Sequence, residues 1–131
     1  MVIDSLLFDK LTAQAKESPR LRMNLDLRNS DADSSQRMLN VLMTDTVIPI
    51  HRHTETSETV IVCRGKVREE FYDAEGNKTA EFVMEAGGEC PGIQVPMGEY
   101  HTLVCLEYGS VIFEEKDRTY DLVGTESVLE R

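Results

Sequence analysis

The chain has 131 residues, enough for one domain with a real core, and its 14 basic against 24 acidic residues leave a net charge of −10. That balance excludes a nucleic-acid binder, which needs a basic stripe, and no run approaches the ~20 apolar residues of a membrane span. Three cysteines, Cys63, Cys90 and Cys105, form no C-x-x-C pair and read as reduced thiols of a cytoplasmic protein rather than a disulfide framework.

Met1 to Lys10 is not a signal peptide, because it lacks a basic start and Asp4 and Asp9 interrupt a short apolar run. Residues 4–17 are expected to be helical, capped by Asp4 or Ser5, with Leu7, Leu11 and Ala15 four apart and Pro19 ending the run. From Leu21 the period becomes that of a strand: Leu21, Met23, Leu25 and Leu27 alternate with Arg20, Arg22, Asn24, Asp26 and Arg28. Residues 29–35 are a polar loop. Further strands are expected from Gln36 to Met43, from Val47 to His53, and from Thr59 to Phe71 with a break at Gly65. After the hairpin turn at Asp73–Asn77 come Thr79 to Met84, Ile93 to Val95, His101 to Glu107 and Ser110 to Glu115. From Lys116 the tail is charged and poor in apolar residues, so it is expected to be loose or surface-docked. The division expected is a helix over 1–19, a barrel over 20–115 and a tail over 116–131. Many short strands with close turn signals point to an all-β sandwich or barrel with one short N-terminal helix.

All three histidines fall in two short stretches. His51 and His53, about 6.6 Å apart along a strand, face the same side, and the polar run Thr54 to Ser57 can turn Glu58 back to the same point. His101 follows in Pro96-Met97-Gly98-Glu99-Tyr100-His101. Imidazoles with a carboxylate suit one divalent transition ion: Fe, Mn, Ni or Zn. A lone strand histidine is more often a satisfied or surface residue, and H-x-H alone is a weak signal. Both stretches together, in order and with no spare histidine, favour a metal site of His51, His53, Glu58 and His101.

These stretches resemble the two motifs of the cupin superfamily, G-x5-H-x-H-x(3,4)-E-x6-G and G-x5-P-x-G-x2-H-x3-N. The first is met from His51 to Gly65 and the second from Pro96 to His101. Asp45 and Cys90 stand where the leading glycines are expected, Gly88 lies near the second of these, and Cys105 replaces the asparagine; no ligand is lost. The order of Ser18-Pro19-Arg20-Leu21-Arg22-Met23-Asn24, Gln36-Arg37-Met38-Leu39-Asn40, the His51 motif, Tyr100-His101-Thr102-Leu103-Val104 and Val111-Ile112-Phe113-Glu114 is similar to WbuC-type cupin metalloproteins of bacterial surface-polysaccharide gene clusters. The resemblance implies a double-stranded β-helix, the cupin jelly roll, in a small cytoplasmic metal-binding protein.

Four protein ligands leave up to two positions of an octahedral ion open, which suits a metal-dependent enzyme acting on a small polar molecule, an isomerase, epimerase or oxygenase. A non-enzymatic module that binds or senses a small molecule is the alternative. Arg22, Asn24 and Arg37 are candidate substrate contacts, since a guanidinium matches carboxylate or phosphate; the polar face of an alternating strand is otherwise simply solvated. Cys105 either lines the pocket or fills the core. Glu114 or Glu115 is expected to orient an imidazole. The partners expected are a small-molecule ligand and a second copy in a homodimer, with neither nucleic acid nor membrane.

Overall fold

Strand alternation lets one side of a strand meet a helix while the other meets a second sheet, and that division builds this molecule. The computed structural model describes residues 1–117 and 128–129. Helix α1 (Ser5–Glu17) starts where the Asp4 side chain accepts the Leu7 N–H at 3.0 Å and stops at Ser18 before Pro19. The strands are β1 (Arg22–Asp26), β2 (Gln36–Leu42), β3 (Ile50–His51), β4 (Glu58–Arg64), β5 (Lys66–Tyr72), β6 (Lys78–Glu85), β7 (Gly92–Val95), β8 (Tyr100–Cys105), β9 (Ser110–Lys116) and β10 (Val128–Leu129). They form two antiparallel five-stranded sheets, β1-β2-β9-β4-β7 and β10-β3-β8-β5-β6. This is the cupin jelly roll with one short N-terminal helix, as the motifs implied.

Two clusters of buried side chains use the two faces of the first sheet. On its outer face Leu39, Val41, Met43 and Val111 bury Leu11 and Ala15 of α1, with Leu21, Met23, Leu25 and Phe113 packed at the margin. Between the sheets, Leu42, Val60, Val62, Val67, Met84, Leu103, Cys105 and Ile112 close one end of the sandwich. Each well-buried Leu, Ile or Val here contributes about 1.5–3 kcal/mol of transfer free energy. Toward the other end the same inward faces turn polar. Leu42 gives way to Asn40, Ile112 to Glu114 and Lys116, Val60 to Glu58, Val67 to Glu69, and Leu103 to His101. The sandwich therefore has an apolar closed end and a polar open end.

Two expectations change. The strand foreseen over Val47–His53 is only Ile50–His51, because Pro49 has no N–H to give to a ladder. The charged stretch from Lys116 does not begin a surface tail. Lys116 is the last residue of β9, faces inward and is buried. Residues 118–127 and 130–131, on which most of that expectation fell, lie outside the described residues, while Val128–Leu129 pairs with β3.

Gly65 sits at the β4–β5 corner with φ +87°, where a Cβ would lie 2.3 Å from Ser110 Oγ, so glycine alone fits there without rearrangement.

Candidate metal centre and its cavity

His51 is the last residue of β3 and pairs directly with His101 on β8, so backbone pairing alone brings two imidazoles together. His53 follows just past β3. Its carbonyl accepts the N–H of Gly98 at 2.8 Å, which ties the first motif to the turn before β8. That turn needs φ +82° at Gly98. The ring centroids lie 5.1 Å apart for His51 and His53 and 4.5 Å for His51 and His101. One nitrogen from each of the three lies within 4.8 Å of the others.

Each ring is oriented by a partner. His51 Nδ1 donates to the Pro49 carbonyl at 2.8 Å, which leaves Nε2 with a free lone pair. His101 Nδ1 meets Glu69 Oε1, and its Nε2 is buried without a hydrogen-bond partner. Burial lowers His101, while burial, with the charges of Glu58 and Glu70, pushes Glu69 up to about 9. At neutral pH the carboxyl therefore keeps its proton beside a neutral ring. When Glu69 gives up its proton it accepts from Nδ1–H, and Nε2 then presents a lone pair to the centre. Burial, then the neighbouring His101, lowers His51 from 6.5 to about 4, so this ring too is neutral.

Glu58, at the start of β4, lies outside the three-histidine cluster but beside it. Its Oε2 is 3.1 Å from His53 Nε2 and 3.5 Å from Lys116 Nζ. Burial alone would raise its carboxyl. The His53 hydrogen bond, the Lys116 charge and the imidazoles together outweigh this and hold it at about 2. The chemistry of this donor set fits a divalent transition ion. Burial holds the His51 and His101 rings neutral, one orphaned nitrogen is buried, and a carboxylate stays ionised at every working pH.

The histidines and Glu58 line the wall of a cavity of about 230 Å³ that also exposes Arg20, Arg22, Asn24, Asn40, Glu114 and Lys116. Arg22 and Asn24 reach it because the apolar alternates of β1 are taken up under α1, which turns the polar face of that strand inward. Leu21, between the two arginines, has φ +52°, a left-handed conformation that a leucine rarely adopts. Burial, with the charge of Glu58, pushes Glu114 up to about 8.

Other expected residues lie elsewhere. Arg37 is on the helix-side parity of β2 and is engaged by Asp33 at 3.2 Å, Ser35 and the Leu27 carbonyl, outside the cavity lining. Cys105 packs in the closed apolar end, where its thiol donates to the Glu107 carbonyl at 2.9 Å. The carboxylate against an imidazole is Glu69, rather than Glu114 or Glu115. Arg20, Glu69 and Lys116 were not singled out from the sequence. Arg20 precedes the strand, Lys116 reads as tail, and Glu69 belongs to a charged run, Arg68-Glu69-Glu70, whose inward member only the pairing reveals.

Solved structures with the same fold include the capsular polysaccharide assembling protein CapF from Staphylococcus aureus (17% identity, 76% of this chain and 27% of that one, TM-score 0.64). KdgF from Halomonas sp. matches at 18% identity over 82% of this chain and 89% of that one, with a TM-score of 0.58. An oxalate oxidase in complex with the substrate analogue glycolate matches at 15% over 79% and 54%, with a TM-score of 0.61. The chain thus spans about a quarter of the length of CapF. No curated protein matches it. Residues 3–84, from α1 through the His51 motif to β6, match the family described as "Domain of unknown function (DUF6016)", and the chain belongs to that family.

Proposed function

We propose that this chain is a metal-dependent enzyme acting on a small, polar, anionic, sugar-derived molecule in bacterial surface-polysaccharide metabolism. In this reading His51, His53, Glu58 and His101 hold one divalent ion of Fe, Mn, Ni or Zn. The observation that carries it is the convergence of three imidazoles on the wall of a cavity that also carries Arg20 and Arg22. The sequence resemblance to WbuC-type cupins and the fold shared with a capsular polysaccharide assembling protein support the pathway. The three cysteines are free thiols, which supports a cytoplasmic setting.

The ion, when bound, supplies a Lewis acid for a carbonyl or enediol oxygen. Arg20 and Arg22 bind the anionic group and turn the substrate toward the histidines. Met38, Ile48 and Leu103 keep water from that end of the cavity. Glu114 carries its proton at neutral pH and faces the same space, so it can donate to a substrate oxygen and take the proton back. This suits an isomerase or epimerase, in which a proton is moved and none is consumed.

Elemental analysis of untagged protein should find close to one ion per chain. Sugar acids and sugar phosphates are then incubated with the loaded protein, with and without oxygen, and followed by NMR. Turnover that disappears in His51→Ala establishes the enzyme. Tight binding of an unchanged ligand makes the chain a binding or sensing module instead.

A further inference from the structure

Five buried side-chain polar atoms lack a hydrogen-bond partner among the described residues: Arg22 Nε, Asn40 Oδ1, Arg52 Nε, Glu69 Oε2 and His101 Nε2. Such atoms are rare in folded proteins and each calls for a reason. Three belong to residues that line one cavity, Arg22, Asn40 and His101. His101 is accounted for by the metal reading. Asn40 has no role in that reading, and Arg22 has only the general one of meeting an anionic group.

Arg22 and Asn40 stand on neighbouring strands. The register pairs Asn24 with Asn40 and Arg22 with Leu42, so Arg22 and Asn40 are diagonal neighbours on the inward face, roughly 7–8 Å apart. Asn40 lines the cavity beside Glu114, and its Oδ1 is buried without a partner among the described residues. An unused Nε–H of a guanidinium asks for an anion, and an unused amide oxygen asks for a donor. Small hydroxycarboxylates offer both. We infer that the cavity binds a hydroxycarboxylate with its carboxylate on Arg22 and a hydroxyl donating to Asn40 Oδ1; this rests on the reading of the site given above.

Carboxylate is favoured over phosphate by its shape. Its two oxygens lie in one plane and match the Nε–H and Nη–H edge of a guanidinium. The volume of about 230 Å³ admits one molecule no larger than a monosaccharide acid, since pockets for drug-sized ligands run from about 300 Å³ upward.

Isothermal titration with D-glucuronate, D-glucose and D-glucose 6-phosphate tests this on wild-type protein and on Arg22→Gln, Arg22→Lys and Asn40→Leu, with metal content and melting measured for each. D-Glucuronate should bind at least ~10-fold more tightly than either other sugar. Arg22→Gln should weaken it by ~10-fold or more at unchanged metal content. Arg22→Lys, which keeps the charge and loses the Nε–H, should stay nearer to Arg22→Gln than to wild type. Asn40→Leu should weaken D-glucuronate binding too. Equal binding of D-glucose, preference for the phosphate, or D-glucuronate binding indifferent to Arg22 in folded variants overturns the inference and leaves the metal reading standing. Arg22-dependent D-glucuronate binding by a protein that takes up no metal does the reverse. Failure of all three sugars to bind metal-loaded wild type also overturns the inference.

Discussion

Glu69 has the most buried carboxylate that touches an imidazole, and its role is set by contact with a single atom. It holds the His101 ring by Nδ1 and so decides which nitrogen faces the centre. Glu69→Gln keeps the shape but can present an N–H to Nδ1, which favours the opposite tautomer. Metal affinity, read by competition with a chelator, should fall about 10–100-fold, the usual consequence of losing such a partner. His51 yields a separate prediction through its lowered value of about 4. Below pH 6.5 the unfolded chain takes up a proton that the folded chain refuses until about pH 4. Stability is therefore full above pH 6.5 and is lost as pH falls across that window, by about 3 kcal/mol at most. His51→Gln cannot titrate. Urea unfolding of metal-free protein from pH 7 to 4 should give curves whose difference is confined to that window. Glu58, Glu114 and Lys116 line the same cavity, Glu69 lies against His101, and all four are present in both proteins.

At the scale of elements, the first sheet separates stability from chemistry. The outer face of β2 packs Leu39 and Val41 under α1, while its inner face offers Met38 and Asn40 to the cavity. Leu39 is 1% exposed, so Leu39→Ala should cost about 2–5 kcal/mol and leave metal content intact. His101→Ala should do the opposite, emptying the site while the domain still melts cooperatively, because the closed end of the sandwich is held by apolar residues alone. Calorimetry and elemental analysis of the two variants decide this. Domain unfolding in His101→Ala would make the ion a structural one. The order of elements was legible in the sequence at this scale: α1, β1, β2, both halves of the stretch broken at Gly65, and β9 all fall within a few residues of where periodicity places them. The facing of β1 was not legible. Alternation shows that Arg22 and Asn24 share a face, but a polar face is solvated unless the apolar one is claimed by something outside, and here α1 claims it.

For the whole molecule, a net charge of −10 surrounds a cavity that exposes two arginines. Long-range repulsion slows the approach of an anion, and salt screens this distant field more than the contacts inside the cavity. The association rate of D-glucuronate, followed by stopped flow, should therefore rise when salt is increased from about 10 to about 150 mM, while a neutral ligand should show no such change. A rate that falls with salt would mean that the local basic wall governs the approach.

The sequence by itself determined an all-β chain of short strands through local period and turn residues, and its resemblance to the cupin motifs implied the jelly roll and the meeting of His51, His53 and His101. Only the tertiary structure decided the surroundings of the centre. Glu69 and Lys116 read as surface charges along the chain, yet each lies on the inward side of its strand at the open end, and burial there turns them into partners of His101 and Glu58. Arg37 and Arg22 are the same residue type on adjacent strands. One faces the loop that Asp33 anchors and the other faces the cavity. Inward and outward are properties of a sheet with something packed against it, and a single strand's sequence does not contain that neighbour.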